Sequence, residues 1–346
     1  MLSNINVKYK LEIIYLNKNM GRAFARNIGI KKSKGDILIF HDSDMIAFND
    51  YVSKHLLYQK DKAKVVCGSN WNKIHTYYYK EIKIDFNTYR KTPLYKLKYA
   101  KNIKRLKNKY PLITEDEIIN GSYKKYIFEL KDKTKEVDEI VDSYGESLKD
   151  YNFPWRFFIT NNCSARKDDV VGAGCFDEKF IGWGCEDLDL GYRIHIKGCP
   201  FILKRDIKSI HQEHPIEIKN DCRKNIFYFA HKYNSTDILL FYFGAYAGIN
   251  KENYNSIIKE LKIIEETFPK SVVLLLFNKM LINLRDCVEN DIDINRKKRT
   301  NKNIMDIGGF NSHIILDELN ILKSIGIIEI VYGFKLLLRK TYGIRL

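Results

Sequence analysis

Residues 37–40, "ILIF", are apolar without interruption, and the run is closed by two acids, Asp42 and Asp44, with one serine between them. A strand that is apolar at every position is buried on both faces, which is the habit of parallel sheets covered by helices. Immediately upstream, Ala23, Phe24, Ile28 and Ile30 recur at helical spacing, and Gly35 suits a helix stop. Two further apolar runs, "LEIIYL" at 11–16 and "AKVVCGS" at 63–69, read as strands. Strand and helix therefore alternate, and the chain is expected to be α/β.

Composition narrows the class. The 346 residues are 45% hydrophobic and 13% aromatic, which is enough to bury a sizeable core. No run reaches the roughly 20 apolar residues of a membrane helix; the longest candidates are 238–249 and 272–277. The N-terminus carries no apolar signal core, and the seven cysteines, at 67, 163, 175, 185, 199, 222 and 287, include no C-x-x-C pair. Reduced thiols in a cytoplasmic protein are the expectation. A net charge of +16 favours an anionic partner: nucleic acid, an acidic membrane surface or a phosphorylated small molecule. The basic runs at 95–110 and 295–303 are dispersed and read as solvated faces, and no nucleic-acid recognition motif accompanies them.

From about Lys80 to Tyr151 the pattern dissolves into a lysine- and tyrosine-rich insertion, and α/β character returns at 157–215. Beyond Asp237 the periodicity is helical, most clearly at 252–268. The ending at 328–346 mixes apolar and basic residues. It suits either packing of a helix on the rest of the protein or a dimer contact, weighted above peripheral docking on an acidic membrane.

On a strand, Asp42 and Asp44 would point to one side beyond its end, where open α/β sheets bind ligands. Two adjacent carboxylates repel unless a cation compensates them. A divalent metal holding a diphosphate is the sharp reading, and an acidic turn the plain one.

Three ordered blocks decide between them: "NMGRAFARNIGIKKSKGDILIFHDSDM" at 19–45, "NNCSARKDDVVGAGCFDEKFIGWGCEDLDLGYRI" at 161–194 and "IHQEHP" at 210–215. Together they resemble nucleotide-sugar glycosyltransferases of the GT-A fold. The likeness is to the inverting family-two enzymes, and among them to bacterial chondroitin-polymerase-type modules with the galactosyltransferase C-terminal motif, GWGxED. The resemblance implies a Rossmann-like, mostly parallel sheet flanked by helices over residues 1–236, with a helical extension over 237–346. It implies a nucleotide-sugar donor, UDP before others, a glycan or lipid-linked acceptor, and Mn²⁺ or Mg²⁺. It suggests work in bacterial surface polysaccharide synthesis, in the cytoplasm or at the inner face of the membrane.

Roles follow by motif. The resemblance makes Asp44 the direct metal ligand, Asp42 a partner of the ribose or of the metal, and His211 a third ligand, with His214 a weaker candidate. Asp187 becomes the base that takes the acceptor hydroxyl's proton, and Glu186 a holder of an acceptor hydroxyl. Trp183, between Gly182 and Gly184, becomes an apolar floor under the sugar rings. Arg26 and Asn27 match the helix near the nucleotide, and Asn161 and Asn162 the segment against the donor sugar. Asp189 and Arg193, four apart, are expected to pair structurally. Family members begin with a further β-α-β segment, and no run before Lys10 supplies it. A misassigned start, a truncated non-catalytic homologue or a partner subunit are the readings this leaves.

Overall fold

The structure is a computed structural model and describes residues 9–60, 64–79, 109–215, 221–291, 306–307 and 310–344. They divide into two compact units, Met1–Leu148 with Trp155–Asp221, and Lys149–Pro154 with Cys222–Leu346. Residues 222–236 thus group with the helical part, so the boundary falls before the expected position at 236.

The first unit is built on strands β1 (Ile37–Phe40), β2 (Met45–Ala47), β3 (Val65–Ile74), β4 (Tyr77–Tyr79), β5 (Lys109–Pro111), β6 (Phe128–Glu129), β7 (Cys163–Arg166) and β8 (Phe201–Gln212). Its helices are α1 (Arg22–Lys32), α2 (Tyr51–Tyr58), α3 (Glu115–Ile119), α4 (Lys131–Tyr144), α5 (Lys167–Gly172) and α6 (Glu186–Ile196). The main sheet runs β1-β7-β3-β8-β2, with β6 paired to β3. Only β3 and β8 pair in parallel; β7 enters between β1 and β3 in the opposite sense, and β2 and β6 also pair antiparallel. The sheet is therefore mixed where mostly parallel pairing was expected. β1 is at the sheet edge beside antiparallel β7, and of its four apolar residues Leu38 is buried and the others are half-buried.

The expected strand at 11–16 is not formed: these residues lack regular structure, and Leu11, Ile14, Tyr15 and Leu16 are exposed. An apolar run becomes a strand only with a partner ladder, and among the described residues none pairs with this one. The insertion adds β6 to the main sheet and, with β4, forms a separate two-stranded sheet. Its β5 pairs with β4 and its β6 with β3, while Thr114 and Glu117 form a capping box at the start of α3. Residues 80–108 of the insertion lie outside the described residues.

A polar seam crosses the sheet core. His55 on α2 lies with Nδ1 2.9 Å from Ser164 Oγ and Nε2 3.1 Å from Asn162 Oδ1. The Asn162 amide donates to Ile207 O and to Ser209 Oγ. Burial lowers the His55 pKa to about 4, so the ring is neutral. A Cβ at Gly68 would sit 2.4 Å from Asn162 Oδ1 and 2.6 Å from Ile207 O, which makes glycine the condition for this close approach.

The second unit contains α7 (Asp221–Tyr233), α8 (Thr236–Phe243), α9 (Tyr254–Thr267), α10 (Val272–Glu289), α11 (Ser312–Ser324) and α12 (Glu329–Tyr342). Phe229, Phe243, Phe277, Met280 and Phe334 fill its interior. Two helices are capped by carboxylates from neighbours. Glu260 of α9 accepts from the backbone N–H of Ile328, Glu329 and Ile330, and Glu318 of α11 accepts from Val272 and Val273. An anion at a helix N-terminus satisfies orphan donors and faces the positive end of the dipole. Ile330, Val331, Phe334, Leu337 and Leu338 of α12 are buried within this unit, and Tyr332 is exposed. Among the described residues no helix is long and apolar enough to cross one.

Two glycines in the first unit predict opposite stability changes. A Cβ on Gly191, inside α6, would meet Phe158 Cβ at 2.5 Å and Trp155 O at 2.9 Å, so Gly191→Ala is expected to cost about 1–3 kcal/mol by overpacking. Gly29, inside α1, has nothing within 4 Å of that position, and Gly29→Ala is expected to stabilise by about 0.4–1 kcal/mol. Urea unfolding of the two variants checks both signs.

Candidate active site

Arg26 ties the sequence blocks together. From the second turn of α1 its guanidinium donates to Asp42 Oδ1 at 3.0 Å and to Glu186 Oε1 at 2.7 Å, and it lies over the Phe176 ring at 5.5 Å. Burial opposes its charge, but Asp42, Glu186 and Asp187 outweigh that and hold its pKa above the ordinary value. Asn27, one residue on, clamps the same loop: its amide donates to Phe176 O and its oxygen accepts from Phe176 N, each at 2.9 Å. With a further bond to Glu178, the Asn27 side chain fastens α1 to this loop.

The two acids of "HDSD" do not sit on a strand. β1 ends at Phe40, and Met45 N–H donates to Asp42 O at 3.1 Å, closing a tight turn before β2. A turn breaks the two-residue alternation of a strand, so the carboxylates diverge: Asp42 turns to Arg26 and Asp44 to the end of β8. There Asp44 Oδ2 is 3.1 Å from His214 Nε2 and 3.6 Å from His211 Nε2. The three side chains offer ligand atoms within 4.8 Å of one another. Asp42 is not in this group; its carboxylate is held by Arg26. His214, the weaker expectation, is brought in beside His211.

The sheet register makes this meeting possible. Met45 is opposite His211 across β2 and β8, and His211 is opposite Lys73 across β8 and β3. Gln212 N–H donates to Asp44 O, and Glu213 N–H to Ile74 O, so backbone bonds lock the segment on both sides. Glu213 Oε1 lies 2.8 Å from His211 Nδ1 and 2.8 Å from Lys73 Nζ. Burial pushes the Glu213 carboxyl up, but His211 and Lys73 outweigh it and hold it down at about 2. Neither Glu213 nor Lys73 was singled out in the sequence, although the H-x-E spacing at a strand end places both side chains on one side.

The third block supplies the acids of α6. Glu186 is almost fully buried, engaged by Arg26 and by the Gly184 N–H at 3.1 Å, so both of its oxygens have protein partners. These contacts make it a brace between α1 and the loop ahead of α6. Asp187 is only partly buried at the surface, yet its carboxyl is closely surrounded. Burial first, then the neighbouring Glu186 charge, push its pKa up to about 7, against the pull of Arg26 and of the Leu188 N–H. Such a carboxyl can both take and release a proton near neutrality.

The loop ahead of α6 turns through positive φ at Gly182 (80°), Gly184 (106°) and Cys185 (68°), and it leaves Trp183 49% exposed. Asp189 and Arg193 pair at 2.7 Å, as expected. Asn161 lies in the turn before β7 and keeps some exposure. Asn162 is 2% exposed and its side chain is engaged in the polar seam. In the helical unit, His231, Asp286 and Glu289 also come within ligand distance, but Arg285 holds Asp286 at 2.7 Å.

Residues 3–117 match the family model "Glycosyl transferase family 2", and residues 143–214 match "N-terminal domain of galactosyltransferase". Chondroitin synthase of Escherichia coli is 26% identical over 219 residues, covering 62% of this chain and 27% of that protein. Validoxylamine A glucosyltransferase of Streptomyces hygroscopicus subsp. jinggangensis (strain 5008) is 42% identical over 67 residues, 19% of this chain and 16% of that protein. The uncharacterized glycosyltransferase YfnE of Bacillus subtilis (strain 168) is 38% identical over 309 residues, covering 87% of this chain and 75% of that protein. A likeness that extends over most of both chains, with the family model matched on its N-terminal side, makes this protein a member of glycosyltransferase family 2.

Proposed function

We propose that this transferase is a metal-dependent, inverting enzyme that moves a sugar from a nucleotide donor, UDP before others, to a glycan or lipid-linked acceptor. The observation that carries this reading is the group of Asp44, His211 and His214 at the sheet end. One carboxylate and two imidazoles make a mixed oxygen and nitrogen donor set, which suits Mn²⁺ better than the all-oxygen preference of Mg²⁺. A divalent ion bound there supplies charge stabilisation to the departing nucleotide diphosphate.

The chain's own residues do the remainder. Arg26 fixes Asp42, which keeps part of its side chain exposed for a ribose, and fixes Glu186 at the start of α6. Glu186 in turn holds the Gly184 N–H, which sets the loop that presents Trp183 to a sugar ring. Asp187, kept basic enough by its surroundings, takes the acceptor hydroxyl's proton at its carboxylate as that oxygen attacks the sugar carbon. A role in bacterial surface polysaccharide synthesis, at the inner face of the membrane, is the setting that the likeness to chondroitin synthase supports.

Calorimetric titration of UDP with and without Mn²⁺ tests the reading. Binding is expected to need the metal and to be lost in Asp44→Ala; metal-independent binding in both proteins would overturn it. Asp187→Asn is expected to lower kcat by about 10²–10⁴ while Mn²⁺-dependent UDP binding persists. The sign of the pH dependence follows from the raised pKa. Below about 7 Asp187 carries its proton and cannot act as base, so kcat should fall about tenfold per pH unit there and level off above. A flat profile from pH 5 to 8 would remove Asp187 from that role.

A further inference from the structure

Within the reading of Asp44, His211 and His214 as a metal site, on which this inference rests, we propose that Glu213 is a positioning residue. It fixes His211 in the tautomer that carries hydrogen on Nδ1, so that the Nε2 lone pair is presented beside Asp44 and His214.

A neutral imidazole carries one hydrogen, and the partner of one nitrogen decides what the other can do. His211 Nδ1 has two neighbours that demand opposite tautomers. Glu213 Oε1, at 2.8 Å, is a carboxylate oxygen and only accepts, so it requires Nδ1–H. Lys73 Nζ, at 3.3 Å, is an ammonium and only donates, so it requires a bare Nδ1. The shorter contact belongs to Glu213, and Lys73 already has a better acceptor in that same carboxylate at 2.8 Å. Lys73 therefore compensates the Glu213 charge rather than competing for the ring. The opposite edge of His211, Nε2, faces Asp44 Oδ2 at 3.6 Å, too long for a direct hydrogen bond and short enough for both atoms to share an ion.

The arrangement is also preorganised. The β2–β8–β3 ladder holds His211 between Met45 and Lys73, and the Glu213 N–H is bound to Ile74 O. Glu213 is thus anchored to β3 twice, by its backbone to Ile74 and by its side chain to Lys73. A carboxylate behind a metal-binding histidine orients the ring and raises its basicity, and its loss typically lowers metal affinity by roughly 10–100-fold.

Two measurements test the proposal. In the metal-free protein above pH 8, ring ¹⁵N shifts of His211, assigned by their loss in His211→Gln, are expected to show hydrogen on Nδ1; hydrogen on Nε2 would overturn it. Free Mn²⁺ followed by electron paramagnetic resonance is expected to report affinity weakened roughly 10–100-fold in Glu213→Ala. Glu213→Gln, whose amide oxygen still accepts from Nδ1–H, is expected to stay closer to wild type. Wild-type binding lost in Asp44→Ala but unchanged in Glu213→Ala would leave the metal site standing and remove Glu213 from it. No Mn²⁺ binding by wild type would remove the site and this inference together. If Glu213→Ala fails to fold, as melting of the metal-free protein would show, the wild-type tautomer decides.

Discussion

One guanidinium holds the catalytic half of this protein in register. Arg26 reaches Asp42, sixteen residues along the chain, and Glu186, 160 residues along it, and each contact is a partly buried, charge-assisted hydrogen bond. Pairs of that kind matter most through what their loss leaves behind, here two carboxylates close to Asp187 with no cation between them. The acid chosen for proton transfer therefore sits in a field set by a residue on α1, far away in the sequence. The turn after β1 and the start of α6 are fixed to one another by the same group.

The parts of this site that could be read in the sequence are those whose spacing is local. The helix ahead of Gly35, the apolar β1 and the Asp189–Arg193 pair follow from periodicity or i,i+4 geometry, and the structure has each of them. The resemblance of three ordered blocks added the family. What sequence reasoning missed depends on contacts between strands. The run at 11–16 has the composition of a strand but no ladder partner among the described residues. Asp42 and Asp44 diverge because a turn replaces the strand, and Asn27, Asn162 and Glu186 face inward because tertiary partners claim their polar atoms. A motif identifies which residue types meet, and it does not say which of their atoms are already bonded.

The helical unit follows a different logic. Its interior is aliphatic and aromatic, as in Phe277, Leu281 and Phe334, and its polar anchors are carboxylates lent by one helix to the N-terminus of another. Glu260 and Glu318 lie in stretches that read simply as the polar faces of amphipathic helices, so nothing in the linear pattern distinguishes them from solvated glutamates.

The register of β8 has one more consequence. Asp44 and His214 stand 170 residues apart in the chain but meet because β2 and β8 are neighbours in one sheet. Side chains alternate along a strand, so inserting a single residue in β8 between Ile207 and His211 would turn the imidazole to the opposite face while the ladder could still form. Loops elsewhere can lengthen without disturbing this meeting. Over the short span from Ile207 to Pro215, the chemistry depends on residue parity, and a length change there would silence the site while leaving a folded protein.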